Sequence, residues 1–186
     1  AVSPNVLARK MSFVLTEPLA SKNLSVQDLI AIGRQPYTNW IGTLTNLDRK
    51  HIADSIDALE LTSLAERKCH ELSDGQLQRV LIARAMAQDT PIILLDEPTS
   101  HLDLHHKVRI IKLLKQLVEA HQKTILFTTH EIDLAIQLCD KMLVLDGKSN
   151  SFGTPCQLIE QGVFDAIFPD DMIQFDANTG TFRIKK

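Results

Sequence analysis

Apolar positions along the chain fall into short continuous runs and longer runs of helical period. Met11 to Leu15 is short and apolar, and it predicts a strand. Ser25 to Ile32 predicts a helix, with Ser25 as its cap, Asp28 in its first turn and Gly33 as its stop. Asp48 to Leu61 places Ile52, Ile56 and Leu59 on one helical face. Gln76 to Gln88 does the same with Leu77, Val80, Leu81 and Ala85. Ile92 to Leu95 predicts a buried strand by its brevity and apolarity. His105 to His121 predicts a helix turning Ile110, Ile111, Leu114, Leu117 and Val118 toward a core. A strand at Thr124–Thr128, a helix at Glu131–Cys139 and a strand at Met142–Leu145 follow, the last closed by an Asp146-Gly147 turn. Beyond Pro155 the pattern predicts one more helix, then a hairpin from Met172 to Ile184 turning at Asn178-Thr179-Gly180. Alternating short apolar and longer amphipathic runs after residue 75 predict an α/β fold, preceded by a largely helical region.

Composition narrows this without redirecting it. The 186 residues are 44% hydrophobic and 23% charged, which excludes an intrinsically disordered chain. A formal net charge of −3 gives no basic excess, and no nucleic-acid partner is expected. No apolar run approaches the roughly 20 residues of a membrane span, and no leader pattern is visible at Ala1-Val2-Ser3. Cys69, Cys139 and Cys156 are far apart, form no CxxC, and are expected as reduced thiols.

Candidate chemistry begins at Asp96-Glu97, two carboxylates directly after an apolar strand. Where a strand leaves its sheet, adjacent side chains can reach one crevice. One carboxylate then suits Mg²⁺ and the other suits activation of water. Leu72-Ser73-Asp74-Gly75-Gln76 opens a helix, with Ser73 lying 23 positions before Asp96. A capping Ser followed by Gly leaves N–H groups pointing outward, where the helix dipole favours phosphate. A well-capped helix accounts for Ser73 and Asp74 but not for Gly75, which costs about 1 kcal/mol against Ala. Thr99-Ser100-His101-Leu102-Asp103 follows the acidic pair, and His130 ends the next strand. His101 and His105 are four apart with His106 adjoining, a helical metal spacing. No third close ligand is visible in the sequence, and no metal site is expected there.

In this order and spacing the motifs resemble those of the ATP-binding cassette (ABC) ATPases. Leu72 to Gln76 is similar to the family's signature motif, and Ile92 to Glu97 to its Walker B strand with catalytic glutamate. Ser100 to Asp103 is similar to its D-loop, and His130 to its switch histidine. The stretch from Ser25 to Tyr37, with Gly33-Arg34-Gln35-Pro36, resembles the subfamily that energises import of iron chelates such as siderophores, haem or cobalamin. The resemblance implies an α/β fold: a partial P-loop NTPase (RecA-like) core with a helical subdomain. Its parts would be a core strand over 1–16, a helical subdomain over 17–75, the core over 76–150, and a C-terminal helix and hairpin over 151–186.

The same resemblance implies ATP and Mg²⁺ as ligands. Glu97 and His130 would be catalytic, and Asp96 would hold Mg²⁺ through water. Ser73, Gly75 and Gln76 would meet the γ-phosphate bound by a second copy of the chain, with Asp103 at the seam between copies. The partners implied are that second copy and a transmembrane permease, at the cytoplasmic face of the membrane, with the subunit peripheral. Three departures stand out. No G-x-x-x-x-G-K-[ST] occurs, since the glycines are isolated at 33, 42, 75, 147, 153, 162 and 180. The phosphate loop is therefore expected upstream of Ala1, and the chain alone is expected to be inactive. Thr16 stands where the family places a Gln; its hydroxyl is a shorter-reaching candidate Mg²⁺ contact. Asp74 stands where Gly is commoner. Two other readings remain open at this point: a non-transport, ribosome-associated ABC ATPase, and a non-catalytic partner-binding fragment. A DNA-repair ATPase does not fit, because only 56 residues lie between Thr16 and Ser73 and such members insert long coiled coils there.

Overall fold

Three of the short apolar runs align side by side. In a computed structural model, β1 (Met11–Val14), β2 (Ile92–Leu95) and β3 (Thr124–Phe127) form a parallel sheet in the order β1-β2-β3. The structure describes residues 2–16, 23–147, 150–167, 173–177 and 179–184. They fall into two compact units, 1–128 and 129–186.

The register pairs Val14 with Leu95 and Leu95 with Phe127, so the three strands end level. One face, carrying Ser12, Val14, Ile93 and Leu95, is almost fully buried. On the other, Phe13 and Leu126 are exposed while Ile92 and Leu94 are half-buried. β2 therefore alternates, and its apolarity reflects one deep face and one shallower face.

The helices of the first unit start where their capping residues dictate. Ser25 accepts from the Asp28 N–H at 3.1 Å, and the Asp28 carboxylate accepts from the Ser25 N–H at 3.3 Å. This reciprocal pair opens α2 (Val26–Ala31), which follows the short α1 (Pro4–Ala8). Thr45 and Asp48 repeat the device at α3 (Asn46–Ala58), so that helix begins two residues before its first apolar position suggests. Ser73 and Gln76 repeat it at α4 (Asp74–Ala87). Asp103 caps α5 (Leu104–His121) by accepting from the His106 N–H at 2.9 Å. α2, α3 and α4 pack on one another around Leu29, Ile30, Ile52, Ile56, Val80 and Ile82, and this core continues to Ile93, Leu95, Ile110 and Leu114.

Gly33 does not stop α2 as a left-handed cap. The chain continues as a 3-10 segment, Ile32–Tyr37. A Cβ at Gly33 would lie 2.2 Å from the Arg84 carbonyl oxygen, so the glycine is there to admit the backbone of α4. The next residue, Arg34, is buried and donates to the Asp48 carboxylate at 2.8 Å and to the Ala87 carbonyl at 2.7 Å.

The second unit contains α6 (Ile132–Leu138), an antiparallel hairpin of β4 (Met142–Leu145) and β5 (Asn150–Gly153), α7 (Pro155–Glu160) and a hairpin of β6 (Ile173–Asp176) and β7 (Thr181–Ile184). Leu158, Phe164 and Phe175 form its core. β5 is absent from the hydrophobic pattern because Asn150 and Ser151 are polar; it forms because β4 supplies a backbone partner. Gly147 takes φ +78° in the turn leaving β4, and Gly180 takes φ +65° before β7. Met172 and Asn178 of the expected last hairpin lie outside the described residues, as do Glu17 and Pro18 beside Thr16.

Candidate functional site

Level strand ends bring three polar side chains together at the C-terminal edge of the sheet. The ladder runs one step past each strand, with the Asp96 N–H donating to the Val14 carbonyl at 2.8 Å and the Thr128 N–H to the Leu95 carbonyl at 3.0 Å. Thr16 Oγ1 donates to Asp96 Oδ2 at 3.1 Å, and Thr128 Oγ1 donates to Asp96 Oδ1 at 2.7 Å. The Thr128 hydroxyl also accepts from the Glu97 N–H at 3.0 Å. One hydroxyl thus fixes both the Asp96 carboxylate and the Glu97 backbone. Asp96 is exposed and Glu97 is half-buried.

Glu97 has φ +43°, a left-handed conformation that costs a non-glycine residue about 1–2 kcal/mol. Its N–H bond to Thr128 and the acceptance of the Ser100 N–H and hydroxyl by its carbonyl, at 3.0 and 2.9 Å, hold that conformation. Strain held by surrounding bonds is commonly found at functional sites. Phe13, Leu15, Leu94 and Leu126 line a shallow hollow that ends at Asp96 and Thr128. The donors around Asp96 are all oxygens, the set that Mg²⁺ prefers. Thr128 was not singled out in the sequence. Its position at the end of a strand that closes on Thr-Thr-His was the available signal.

Ser73, Gly75 and Gln76 form a second group at the start of α4. Gln76 Oε1 accepts from the Ser73 N–H at 3.0 Å, and Ser73 Oγ accepts from the Gln76 N–H at 3.3 Å. At Gly75 a Cβ would lie 3.0 Å from Cδ2 of the His106 ring, a close approach. Asp103 holds that ring, its two carboxylate oxygens lying 2.9 and 2.8 Å from His106 Nδ1. The backbone hydrogen bond from His106, then the side-chain one, holds the Asp103 carboxyl below its ordinary range. Asp103 is therefore connected to Gly75 through one imidazole, an arrangement the sequence did not reveal. His130 lies in the second unit, where its carbonyl accepts from the Ile132 N–H at 3.1 Å.

Tyr37 and Trp40, aromatics of one loop, part company. Tyr37 is half-buried, with the Arg34 guanidinium 4.1 Å and that of Arg9 5.1 Å from its ring centre. Burial pushes its phenol up. Trp40 is 95% exposed.

The family model described as ABC transporter matches residues 4–100. An ABC transporter ATP-binding protein of Methanocaldococcus jannaschii, of uncharacterized role, is 36% identical over 185 residues, 99% of this chain and 64% of its own length. The petrobactin import ATP-binding protein FpuD of Bacillus anthracis is 36% identical over 163 residues, 87% of this chain and 60% of its own. Among solved structures, an inward-facing conformation of a metal-chelate type ABC transporter superposes with a TM-score of 0.79 at 33% identity, covering 86% of this chain and 64% of that one. The chain thus spans less than two thirds of the length of each of these relatives. With its parallel α/β sheet, its capped helical layer and this match over more than half its residues, the chain belongs to the ABC transporter family, in the class of its ATP-binding domains.

Proposed function

We propose that this chain is part of the ATP-hydrolysing subunit of an importer for an iron chelate, haem or cobalamin. The observation that carries the reading is the Asp96 carboxylate fixed by Thr16 and Thr128 at the level ends of three parallel strands, with Glu97 next to it. Ligands of open α/β sheets bind at this edge.

Asp96 and the two threonine hydroxyls offer oxygens to a hydrated Mg²⁺, and a magnesium ion there would neutralise charge on phosphate oxygens. The threonines keep Asp96 in one orientation. Glu97 accepts the proton of the attacking water. His130 contacts the γ-phosphate. Ser73, Gly75 and Gln76 present the N-terminus of α4 to the γ-phosphate held by a second copy, and Asp103 lies at the seam. Transport chemistry is supported by relatives such as FpuD, named for petrobactin import. No described helix is long and apolar enough to cross a membrane. In this reading a polytopic permease supplies the spans, with this subunit peripheral on the cytoplasmic face.

The test is co-purification from detergent-solubilised membranes of the source cell, using the tagged natural protein. A polytopic permease in the eluate, together with ATPase activity, is the expected result. Ribosomes or nucleic acid without a membrane protein would overturn the transport reading and leave the ATPase reading standing.

A further inference from the structure

Three of the chain's seven histidines fall between residues 101 and 106. The fold brings two of these, His105 and His106, together with Asp103. One ligand atom from each of Asp103, His105 and His106 lies within 4.8 Å of the other two, and all three residues are exposed.

The spacing of the closest pair is informative. The Asp103 oxygens lie 2.8 and 2.9 Å from His106 Nδ1. Two ligands at right angles on an ion with bonds of about 2.1 Å stand about 3.0 Å apart, so this pair already has the separation of neighbouring ligands. Capping does not compete with ligation. Asp103 Oδ1 accepts the His106 N–H, and a carboxylate has about four lone-pair sites, which leaves Oδ2 able to turn to an ion. Exposure leaves room for waters to complete the coordination shell. The Asp103 side chain caps α5 and brings a carboxylate to this end of the helix, where the helix dipole alone would oppose a cation. Two imidazoles and one carboxylate favour divalent first-row transition ions over Mg²⁺ or Ca²⁺.

We propose that Asp103, His105 and His106 bind one divalent first-row transition-metal ion at the start of α5. The ion takes the place of the proton between Asp103 and His106 and fixes the ring that packs against Gly75. Occupancy of this site therefore stiffens the contact between the first turns of α5 and α4. The proposal needs neither nucleotide nor permease, so it stands or falls independently of the transport reading.

The experiment is calorimetric titration of the 186-residue chain with Ni²⁺ near pH 7.5, in a buffer containing millimolar Mg²⁺. The expected result is one tight equivalent, weakened about tenfold or more in His105→Asn and in Asp103→Asn and unchanged in His51→Asn. Asn caps helices as well as Asp does, so Asp103→Asn removes the charge while keeping the cap. His105 is exposed, so His105→Asn alone decides the matter if Asp103→Asn melts early. Equal Ni²⁺ affinity in wild type and His105→Asn, or displacement of Ni²⁺ by the Mg²⁺ present, overturns the proposal.

Discussion

The two ends of β2 use similar residues to opposite effect. At its N-terminal end, buried Thr90 donates to the Ile92 carbonyl at 2.8 Å and lies 3.1 Å from the Ser12 hydroxyl. Lys123 donates to Asp89 at 2.8 Å and to the Thr90 carbonyl at 3.0 Å. Burial pushes the Asp89 carboxyl up, but the Lys123 hydrogen bond and charge, with His51 and Arg34 beyond, bring it below its ordinary value. Arg34 ties the preceding turn to α3 through Asp48. At the C-terminal end, Asp96 is exposed and held by two neutral hydroxyls where Asp89 has a cation. Left-handed residues flank both ends, Asp89 at φ +53° and Glu97 at φ +43°. Asp adopts this region more readily than Glu. One end neutralises its charges and anchors the sheet. The other keeps its negative charge available for an incoming cation.

The largest effect should come from Arg34→Ala. It leaves Asp48 buried without its cation and should cost about 3–5 kcal/mol in urea denaturation. A loss below about 1 kcal/mol would mean that the anchoring end is not where stability is held. Acid should probe the same pair. The Thr45 hydroxyl bond, opposed by burial and aided by the Thr45 N–H and then by Arg34, lowers the Asp48 carboxyl to about 2. Its unfolded value is about 3.9. The contribution of Asp48 is therefore complete above about pH 4 and fades as pH falls toward about 2. A urea midpoint that stays flat through that window would contradict this.

At the opposite end, Glu97→Gln should leave the melting temperature near that of wild type. In an ATPase-active form of the protein it should lower ATP turnover about a hundredfold or more, because the amide cannot accept the proton of water. Turnover close to wild type would remove Glu97 as the base. Thr90→Val sharpens the contrast, leaving the buried Ser12 hydroxyl without its partner at a cost of about 1–2 kcal/mol by thermal melt. Thr16→Val, at the exposed end, should change stability by less than about 0.5 kcal/mol while weakening Mg²⁺-dependent turnover. If the two threonine variants destabilised equally, the distinction between the ends would fail.

Much of the helical layer is legible because capping is local. Ser25 with Asp28 and Ser73 with Gln76 announce their helices three residues ahead. Thr45 with Asp48 carries the same signal, and the helix it caps starts at Asn46, two residues before the apolar periodicity alone places it. The polar strand β5 was illegible, since only its pairing with β4 makes it a strand. The reason for Gly33 was also hidden, because the Arg84 carbonyl that forbids a side chain there belongs to another helix.

The sequence by itself determined the order of elements, the capped helix starts and the placing of Asp96-Glu97 after an apolar strand. Each depends on neighbours within about one helical turn or on strand alternation. Tertiary structure alone decided which hydroxyls orient Asp96, because Thr16 and Thr128 reach it only once the strands pair in register. It also decided that Gly75, at the start of α4, lies against the His106 ring of α5. Strand register is set by burying one face of the sheet against helices, and the packing of a ring against another helix is set the same way. A linear pattern does not contain those distances.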